Sequence, residues 1–401
     1  MKLLQKKLSE FNLPQIFKKK GIYSFYHSIE SGQDTVVRLN GREVLMFGSN
    51  SYLGLTNHPK LKDAAQQAIN KYGTGASGSR LMNGNLDLHD ELEYKLAEFV
   101  GKPAATIFST GFQVNMGVIP SIVGRNDYII IDEKCHASII EGCRLAFAKT
   151  YKYKHNDMLS LEKILQKIGP NQINLIVTDG IFSMEGDIAK LDDICKLAEK
   201  YSASVMVDDA HAIGVIGEIG SGTASYFNIT NNVDLIMGTF SKSFASLGGF
   251  IAGDFETINY IKHNARSLLF SAGIPPASAA TVLKALEIFK DEPERIEKLW
   301  ENTHYALDLL IRKGFNIGDS TTPIIPISIG DEIKTYQMAT TLLEKGLYIN
   351  PIVHPAVDKD KAILRFSLMA THTKEQINRA VDILIKSRDY VEKLPLLELT
   401  I

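Results

Sequence analysis

The stretches Ser204-Val-Met-Val-Asp-Asp-Ala-His211 and Leu235-Ile-Met-Gly-Thr-Phe-Ser-Lys242 decide the fold. Each is a short apolar run that ends in polar residues, and such a run predicts a buried β-strand followed by a loop. The segment Leu191–Tyr201, which precedes the first stretch, instead has the period of an amphipathic helix. Strands that alternate with helices are typical of a mostly parallel sheet covered by helices on both faces. We therefore predict an α/β fold built around such a sheet.

The same alternation extends along most of the chain. Further predicted strands are 105–109, Tyr128–Asp132, 175–179 and 249–252, with a further helix at 159–168. Helical patterns at 276–290 and 292–313 lead into a smaller α+β unit with strands at 324–329, 347–349 and 362–368 and a closing helix from Lys374. We predict an N-terminal segment (1–55), a large domain (56–285) and a small C-terminal α+β domain (286–401).

Composition narrows the function classes. The chain has 401 residues, too many for one ordinary core, and its net charge of −2 offers no attraction for nucleic acid. Its apolar runs fall well short of the roughly 20 residues that span a bilayer, and no secretory signal pattern begins the chain. The three cysteines are too few and too irregularly spaced for a disulfide framework or a metal site. We expect a cytoplasmic protein without a bound metal.

The first twenty residues are basic and amphipathic. Their lysines are interspersed with apolar side chains: Lys2, Lys6, Lys7, Lys18, Lys19 and Lys20 alternate with Leu3, Leu4, Leu8, Phe11 and Phe17. Such a segment can rest on an anionic membrane surface at the inner face of the membrane. It can equally pack its apolar stripe on its own protein and leave the lysines solvated, because both arrangements give the same pattern. We prefer the packed arrangement.

Polar residues follow the strands at the edge where ligands bind in such folds. Ligands of open α/β sheets lie beyond the carboxyl ends of the strands. Asp208 ends one predicted strand, and His211 follows it. Lys242 follows the next strand and is flanked by Ser241 and Ser243, which is an unusual choice for a simple turn. These residues are therefore candidates for chemistry.

A phosphate site is predicted on an earlier strand. The run that ends at Ser109-Thr-Gly-Phe112 leads into a helix predicted to begin near Gln113. The free N–H groups and the positive dipole end of a helix N-terminus favour a phosphate. A lysine that condenses with an aldehyde, a carboxylate for a ring nitrogen and a phosphate site together suit pyridoxal 5′-phosphate.

At this point the chain resembles the α-oxoamine synthase family of fold-type I pyridoxal-phosphate enzymes. The resemblance runs from Phe47-Gly-Ser-Asn-Ser-Tyr-Leu-Gly-Leu55 to Phe366-Ser-Leu-Met-Ala-Thr-His-Thr373. It includes Thr178-Asp-Gly-Ile-Phe-Ser-Met-Glu-Gly-Asp187 and Gly238-Thr-Phe-Ser-Lys-Ser-Phe-Ala-Ser-Leu-Gly-Gly-Phe250. It implies the fold-type I architecture, a large mostly parallel sheet domain and a smaller C-terminal domain.

The resemblance also implies roles for single residues. Lys242 would hold the cofactor as a Schiff base and later move a substrate Cα proton, and Asp208 would pair with the ring nitrogen. His136 would stack on the ring and touch the substrate carboxylate, and His211 would bond the phenolic oxygen. The remaining implied contacts are Gly111, Phe112, Thr239 and Ser241 for the phosphate, Ser183 in the cofactor-side loop, Asn50 and Arg365 for substrate, and Ser271 for the phosphate of a homodimer partner.

Within this family, the greatest likeness is to members that condense L-serine with a long-chain acyl-CoA, releasing carbon dioxide. Two other substrate pairs stay open: alanine with pimeloyl-CoA, and glycine with a short acyl-CoA. A non-catalytic structural subunit of the same fold is a further alternative. It is disfavoured because Lys242, Asp208 and His136 are all intact.

One motif points elsewhere. Gly73-Thr-Gly-Ala-Ser-Gly78 matches the G-x-G-x-x-G pattern of dinucleotide-binding proteins. That pattern binds a dinucleotide only between a strand and a helix, and here the helical pattern 61–72 precedes it. We therefore reject a nicotinamide dehydrogenase and expect a flexible loop near the active site.

Overall fold

The computed structural model describes residues 2–394 and confirms the predicted alternation of strands and helices. The strands in chain order are β1 (Val36–Leu39), β2 (Arg42–Met46), β3 (Ala104–Phe108), β4 (Tyr128–Asp132), β5 (Lys149–Tyr153), β6 (Asn174–Asp179), β7 (Ser204–Asp208), β8 (Leu235–Thr239), β9 (Gly249–Gly253), β10 (Ile324–Gly330), β11 (Leu347–Tyr348), β12 (Asn350–Ile352) and β13 (Ala362–Ser367). The α-helices are α1 (Leu3–Ser9), α2 (Leu13–Lys19), α3 (Pro59–Tyr72), α4 (Asp87–Val100), α5 (Gly111–Ile122), α6 (Ala137–Leu145), α7 (Met158–Ile168), α8 (Leu191–Tyr201), α9 (Thr223–Tyr226), α10 (Phe255–Asn264), α11 (Arg266–Leu269), α12 (Pro276–Asp291), α13 (Glu294–Arg312), α14 (Glu332–Glu344) and α15 (Lys374–Val391).

A seven-stranded sheet forms the centre of the larger of two compact units, which comprises Asn50–Trp300 and Met369–Thr371. The strand order is β3-β9-β8-β7-β6-β4-β5. All neighbours from β5 to β8 pair in parallel, whereas β9 pairs antiparallel with both β8 and β3. The predicted mostly parallel sheet is therefore confirmed.

The sheet is buried on both faces, which explains why its central strands have no polar alternation. Every residue of β6, β8 and β9 is buried. On one face, Val114 and Val118 of α5 pack with Ile139 of α6 against β4 and β6. Each such fully buried aliphatic side chain contributes about 1.5–3 kcal/mol to folding. This packing fixes α5 and α6 where they can supply residues to the carboxyl edge.

A short segment from late in the chain belongs to the same large unit. The backbone N–H of Ala370 donates to the carbonyl oxygen of Tyr52 at 2.7 Å. A Cβ on Gly54, whose φ is +67°, would lie 2.4 Å from the Thr371 hydroxyl oxygen, so only glycine fits there. The segment Met369–Thr371 is thus tied to the start of the unit.

The smaller unit comprises the described residues of 1–49, 301–368 and 372–401. Its strands form two sheets of order β1-β2-β11 and β10-β13-β12. The strand predicted at 347–349 corresponds to β11 alone, and a further strand that was not predicted, β12, follows it and pairs in the other sheet. Pro351 lacks an N–H donor, which suits the edge position of β12. The predicted domain boundaries remain predictions.

The preferred arrangement of the N-terminus is wrong for its first helix. Helix α1 has no buried residue, and Leu3, Leu4 and Phe11 are strongly exposed. Only Phe17 is buried as predicted, with its ring 4.9 Å from that of Tyr336 in the same unit. The apolar surface offered by this unit reaches Phe17 but not α1. None of the helices among residues 2–394 is both long enough and apolar enough to cross a membrane.

Candidate active site

A cavity of about 250 Å³ opens at the carboxyl edge of the large sheet, where ligands were expected. Predicted site residues that line it are Gly111, Phe112, His136, Asp208, His211, Thr239, Ser241 and Lys242. They come from segments far apart in the chain, and the parallel strands bring them to one edge. Lys242 lies in a tight turn just past β8, where its carbonyl accepts a bond from the N–H of Ala245 at 3.0 Å.

Helix α5 directs its N-terminus at this cavity. The helix begins at Gly111, two residues before the predicted start, because the Thr110 hydroxyl caps it by accepting from the N–H of Gln113 at 3.2 Å. A Cβ on Gly111 would lie 2.6 Å from the Thr239 hydroxyl oxygen, so this close approach requires glycine. The Thr239 and Ser241 hydroxyl oxygens are 3.0 Å apart. Free helix N–H groups beside two hydroxyls form a site suited to a phosphate.

Asp208 ends β7 as a buried carboxylate with two N–H donors. Its Oδ2 accepts from the Asn115 side-chain nitrogen at 2.7 Å, and its Oδ1 accepts from the backbone N–H of Ala210 at 3.0 Å. The side chain is almost fully buried at 3% exposure. A buried, fixed carboxylate in a cavity is suited to pairing with a cationic ring nitrogen.

A second carboxylate, Asp179, was not predicted as a site residue although it ends a predicted strand. It lies directly beside Asp208 in the strand register and lines the cavity. Its Oδ2 accepts from the backbone N–H of His136 at 2.9 Å. Burial and the neighbouring Asp208 charge raise the pKa of Asp179 well above its usual value. Asp179 thus positions the His136 backbone. Its raised pKa favours the protonated form of the Asp179 carboxyl group.

His136 precedes α6 and has its ring fixed by Ser138. The Nδ1 atom accepts from the Ser138 backbone N–H at 3.2 Å and lies 2.8 Å from the Ser138 hydroxyl oxygen. The ring faces Phe112 edge-on, with centroids 6.3 Å apart. Burial lowers the pKa of His136, so the ring favours its neutral form.

His211 is fixed by a tyrosine that the sequence did not reveal. Its Nδ1 lies 2.6 Å from the hydroxyl oxygen of Tyr52, which also donates to Asn50 Oδ1 at 3.4 Å. Asn50, predicted as a substrate contact, is therefore linked to the site through Tyr52.

A charged bridge holds the loop that contains Ser183. His155 Nδ1 lies 3.1 Å from Asp132 Oδ1, and its Nε2 lies 2.9 Å from Asp187 Oδ2. Burial alone would lower the pKa of His155, but bonds to these two carboxylates raise it to about 10. The imidazolium therefore joins the end of β4 to the loop after β6.

Comparison with known proteins places the chain in a family. The model of the aminotransferase class I and II family matches residues 42–384. The chain belongs to this family. Serine palmitoyltransferase of Sphingobacterium spiritivorum is 55% identical over 383 residues, covering 96% of each chain. The 8-amino-7-oxononanoate synthase of Thermoanaerobacter pseudethanolicus is 46% identical over 365 residues, covering 91% of this chain and 92% of the relative.

Solved structures of serine palmitoyltransferases also match this chain. Serine palmitoyltransferase of Sphingomonas wittichii matches with a TM-score of 0.92 at 31% identity, covering 98% of this chain and 100% of that one. A second solved serine palmitoyltransferase, which holds pyridoxal phosphate, matches with a TM-score of 0.94 at 31% identity, with the same coverage. The predicted α-oxoamine synthase resemblance and the fold-type I architecture are confirmed.

The cavity residues fit the cofactor that this relative holds. Lys242 offers an amine, Asp208 a buried carboxylate, and the start of α5 a phosphate site whose first turn contains no acidic residue. Among the described residues, no group of His, Cys, Asp and Glu side chains could hold a metal ion.

Three further predicted residues are Ser183, Ser271 and Arg365, and the roles of all the predicted site residues remain predictions. Ser183 lies in the loop held by His155. Ser271 has its hydroxyl oxygen 3.4 Å from the Gln113 side-chain nitrogen, which donates to it. Arg365 is buried on β13 of the smaller unit and donates to the Ser367 hydroxyl at 3.0 Å.

Proposed function

We propose that this chain is a pyridoxal-phosphate-dependent acyltransferase that condenses L-serine with palmitoyl-CoA, as serine palmitoyltransferases do. The single observation that supports the chemistry is the cavity that gathers Lys242, Asp208, His136 and His211 at one sheet edge. The observation that supports the substrate pair is the 55% identity to a serine palmitoyltransferase over nearly the whole chain. The reaction joins the serine Cα to the acyl carbonyl carbon and releases CoA and carbon dioxide, giving 3-ketosphinganine.

When bound, pyridoxal phosphate supplies an aldehyde for amines and a ring that accepts the electron pair released at the amino-acid Cα. The residues of the chain would bind the cofactor and move the protons. Lys242 would hold the aldehyde through Nζ and, as a free amine, would take the proton from the substrate Cα. The Asp208 carboxylate would keep a proton on the ring nitrogen, because its negative charge would stabilise the positive one.

The remaining cavity residues would bind and orient the cofactor and the substrate. Gly111, Phe112, Thr239 and Ser241 would hold the phosphate, since they offer helix N–H groups and two neighbouring hydroxyls. His211, which Tyr52 fixes, would bond the phenolic oxygen. His136 would stack on the ring and contact the substrate carboxylate.

We assign further substrate contacts to Arg365 and Asn50, and a cofactor contact to Ser183. Arg365 binds a carboxylate because a guanidinium matches its two oxygens. Asn50 would contact the substrate, and Ser183 would contact the cofactor.

The alternative substrate pair is L-alanine with pimeloyl-CoA, favoured by the 46% identity to an 8-amino-7-oxononanoate synthase. We expect a site that accepts serine to discriminate strongly, because a hydrogen-bond partner for a hydroxyl is left unpaired by alanine. The test assays both pairs side by side, following released CoA and identifying products by mass. Faster turnover of alanine with pimeloyl-CoA would overturn the substrate assignment. Release of CoA from neither of these pairs, nor from glycine with a short acyl-CoA, would indicate a structural subunit.

The chain is proposed to form a homodimer in which Ser271 reaches the partner's phosphate. A groove beside Ser271, lined by Pro120, Leu145 and Phe270, offers apolar surface for a second copy. Light scattering of the holoenzyme would give the mass, and Ser271→Ala should weaken cofactor binding in a dimer. A monomeric holoenzyme with full activity would contradict this proposal.

The exposed α1 supports peripheral contact with an anionic membrane surface. Its leucines lie among lysines, a combination that binds acidic lipid through apolar burial and charge. Co-sedimentation with phosphatidylserine vesicles should exceed that with phosphatidylcholine vesicles and should fall in a Leu4→Glu/Leu8→Glu variant. Equal sedimentation of wild type and variant would refute the contact.

A further inference from the structure

A continuous chain of hydrogen bonds joins two predicted site residues, Asp208 and His136, which line the same cavity. The Asn115 side-chain nitrogen donates to Asp208 Oδ2 at 2.7 Å and to the Ser138 hydroxyl oxygen at 2.9 Å. The Ser138 hydroxyl in turn lies 2.8 Å from His136 Nδ1. Asn115 is fully buried and Ser138 is 2% exposed. Neither was singled out by the sequence.

The orientation of the Asn115 amide is dictated by its partners. A side-chain amide offers two N–H donors on nitrogen and only acceptors on oxygen. In the reversed orientation, the amide oxygen would face the Asp208 carboxylate oxygen at hydrogen-bond distance with no proton between them. Both donors are therefore used, one on Asp208 and one on Ser138, and the amide oxygen is a buried atom without a protein partner.

This orientation determines the direction of the next bond. Because the Ser138 hydroxyl oxygen accepts from Asn115, its own proton is available for His136 Nδ1. The Ser138 backbone N–H also points at Nδ1, at 3.2 Å. A ring nitrogen that accepts from two donors carries no proton, so the ring proton of neutral His136 lies on Nε2.

We propose that Asn115 and Ser138 are positioning residues that together fix the Asp208 carboxylate and hold His136 as its Nε2–H tautomer. The proposal rests on the proposed function, since it assigns these residues to the same cofactor site. It makes His136 Nε2 a hydrogen-bond donor, which suits contact with a substrate carboxylate. It also couples the two residues, so that a change at Asn115 disturbs both.

The tautomer can be read directly by nitrogen NMR of the pyridoxal-phosphate-loaded protein with ¹⁵N-labelled histidine. The His136 signals are assigned by their loss in a His136→Gln variant. We expect a neutral ring protonated on Nε2 in the wild type, and a detectable Nδ1–H fraction in Asn115→Ala, where Ser138 loses its fixed donor. A wild-type ring protonated on Nδ1 would overturn the proposal.

Cofactor affinity provides the second test. Asn115→Ala should raise the dissociation constant for pyridoxal phosphate about tenfold to a hundredfold, by analogy with the loss of partners that orient metal ligands. Asn115→Asp should raise it further, because a second carboxylate would face Asp208. The matched control is Asn302→Ala, which removes an equally buried asparagine that donates to the His372 carbonyl in the smaller unit. We expect less than a twofold change there.

Two outcomes separate this proposal from the function. Equal affinity for Asn115→Ala and Asn302→Ala, with both thermal midpoints lowered alike, would mean that Asn115 is only structural. These measurements need the cofactor but neither amino acid nor acyl-CoA. A wild type that binds the cofactor yet releases no CoA would therefore refute the proposed reaction and leave the positioning role intact.

Discussion

Replacing His155 by glutamine should destabilise the protein in a manner that depends on pH. His155 bridges Asp132, whose side chain is fully buried, and Asp187. A pKa raised from 6.5 to about 10 corresponds, at 1.36 kcal/mol for each pH unit, to about 5 kcal/mol of stabilisation. The His155 side chain is 21% exposed, so solvent screens part of this energy. We expect a loss of about 3 kcal/mol at pH 6, the lower end for breaking a buried pair.

The sign of the pH dependence follows from linkage. The folded-state pKa exceeds the unfolded-state value, so the stabilisation is complete below pH 6.5 and is lost as pH rises to about 10. Between pH 7 and pH 9 the gap between wild type and His155→Gln should narrow by up to about 2.7 kcal/mol. Contributions of groups that do not contact His155 are the same in both proteins and cancel in the difference.

The assay is urea denaturation of both holoenzymes, followed by circular dichroism at pH 6, 7, 8 and 9. The matched control is His263→Gln, on the exposed surface of α10, where the ring Nδ1 lies 2.8 Å from the Asn259 carbonyl oxygen of the same helix. Its free energy of unfolding should follow that of wild type at every pH. A gap for His155→Gln that stays constant from pH 6 to pH 9 would show that the bridge does not hold a proton.

Other predictions concern the cavity. Lys242→Ala should abolish CoA release. Its thermal midpoint should stay nearly unchanged, because a half-buried lysine in a turn contributes little to the core. Product formation by this variant would refute the proposed role of Lys242. Asp208→Asn should bind the cofactor more weakly but still load at saturating pyridoxal phosphate. It should raise the barrier to turnover by about 3–4 kcal/mol, the cost of removing one electrostatic stabiliser; a wild-type kcat would mean that another acid holds the ring proton. His136→Ala should weaken serine binding in spectral titrations more than it weakens cofactor binding, and unchanged serine affinity would make His136 a structural residue.

The strands that carry the site could be predicted because they are buried on both faces. β4 and β7 have the predicted bounds, since an aspartate ends each apolar run. β5 (Lys149–Tyr153) was missed because it is an edge strand with the sequence Lys-Thr-Tyr-Lys-Tyr, in which only Tyr153 is buried. Its polar alternation resembles a loop when the sequence is considered alone.

The site residues that were missed act through contacts that sequence spacing does not reveal. Tyr52 and His211 are 159 residues apart in the chain. Asn115 gives one signal in the sequence, as a polar residue among the apolar positions of α5, but it lies within a helix and not at the end of a strand. The exposure of α1 could not be predicted, because the same amphipathic pattern fits a helix packed on its own protein and a helix left exposed.

The bond from Ala370 to Tyr52 has a consequence for the order in which the protein matures. Tyr52 holds His211, and its own backbone is tied to a segment synthesised more than three hundred residues later. A nascent chain that has just completed the seven strands still lacks this tie, and contacts so distant in sequence form late. We therefore expect the cofactor to bind only after the whole chain has been synthesised. A ribosome-stalled chain that ends before Met369 should bind the cofactor poorly.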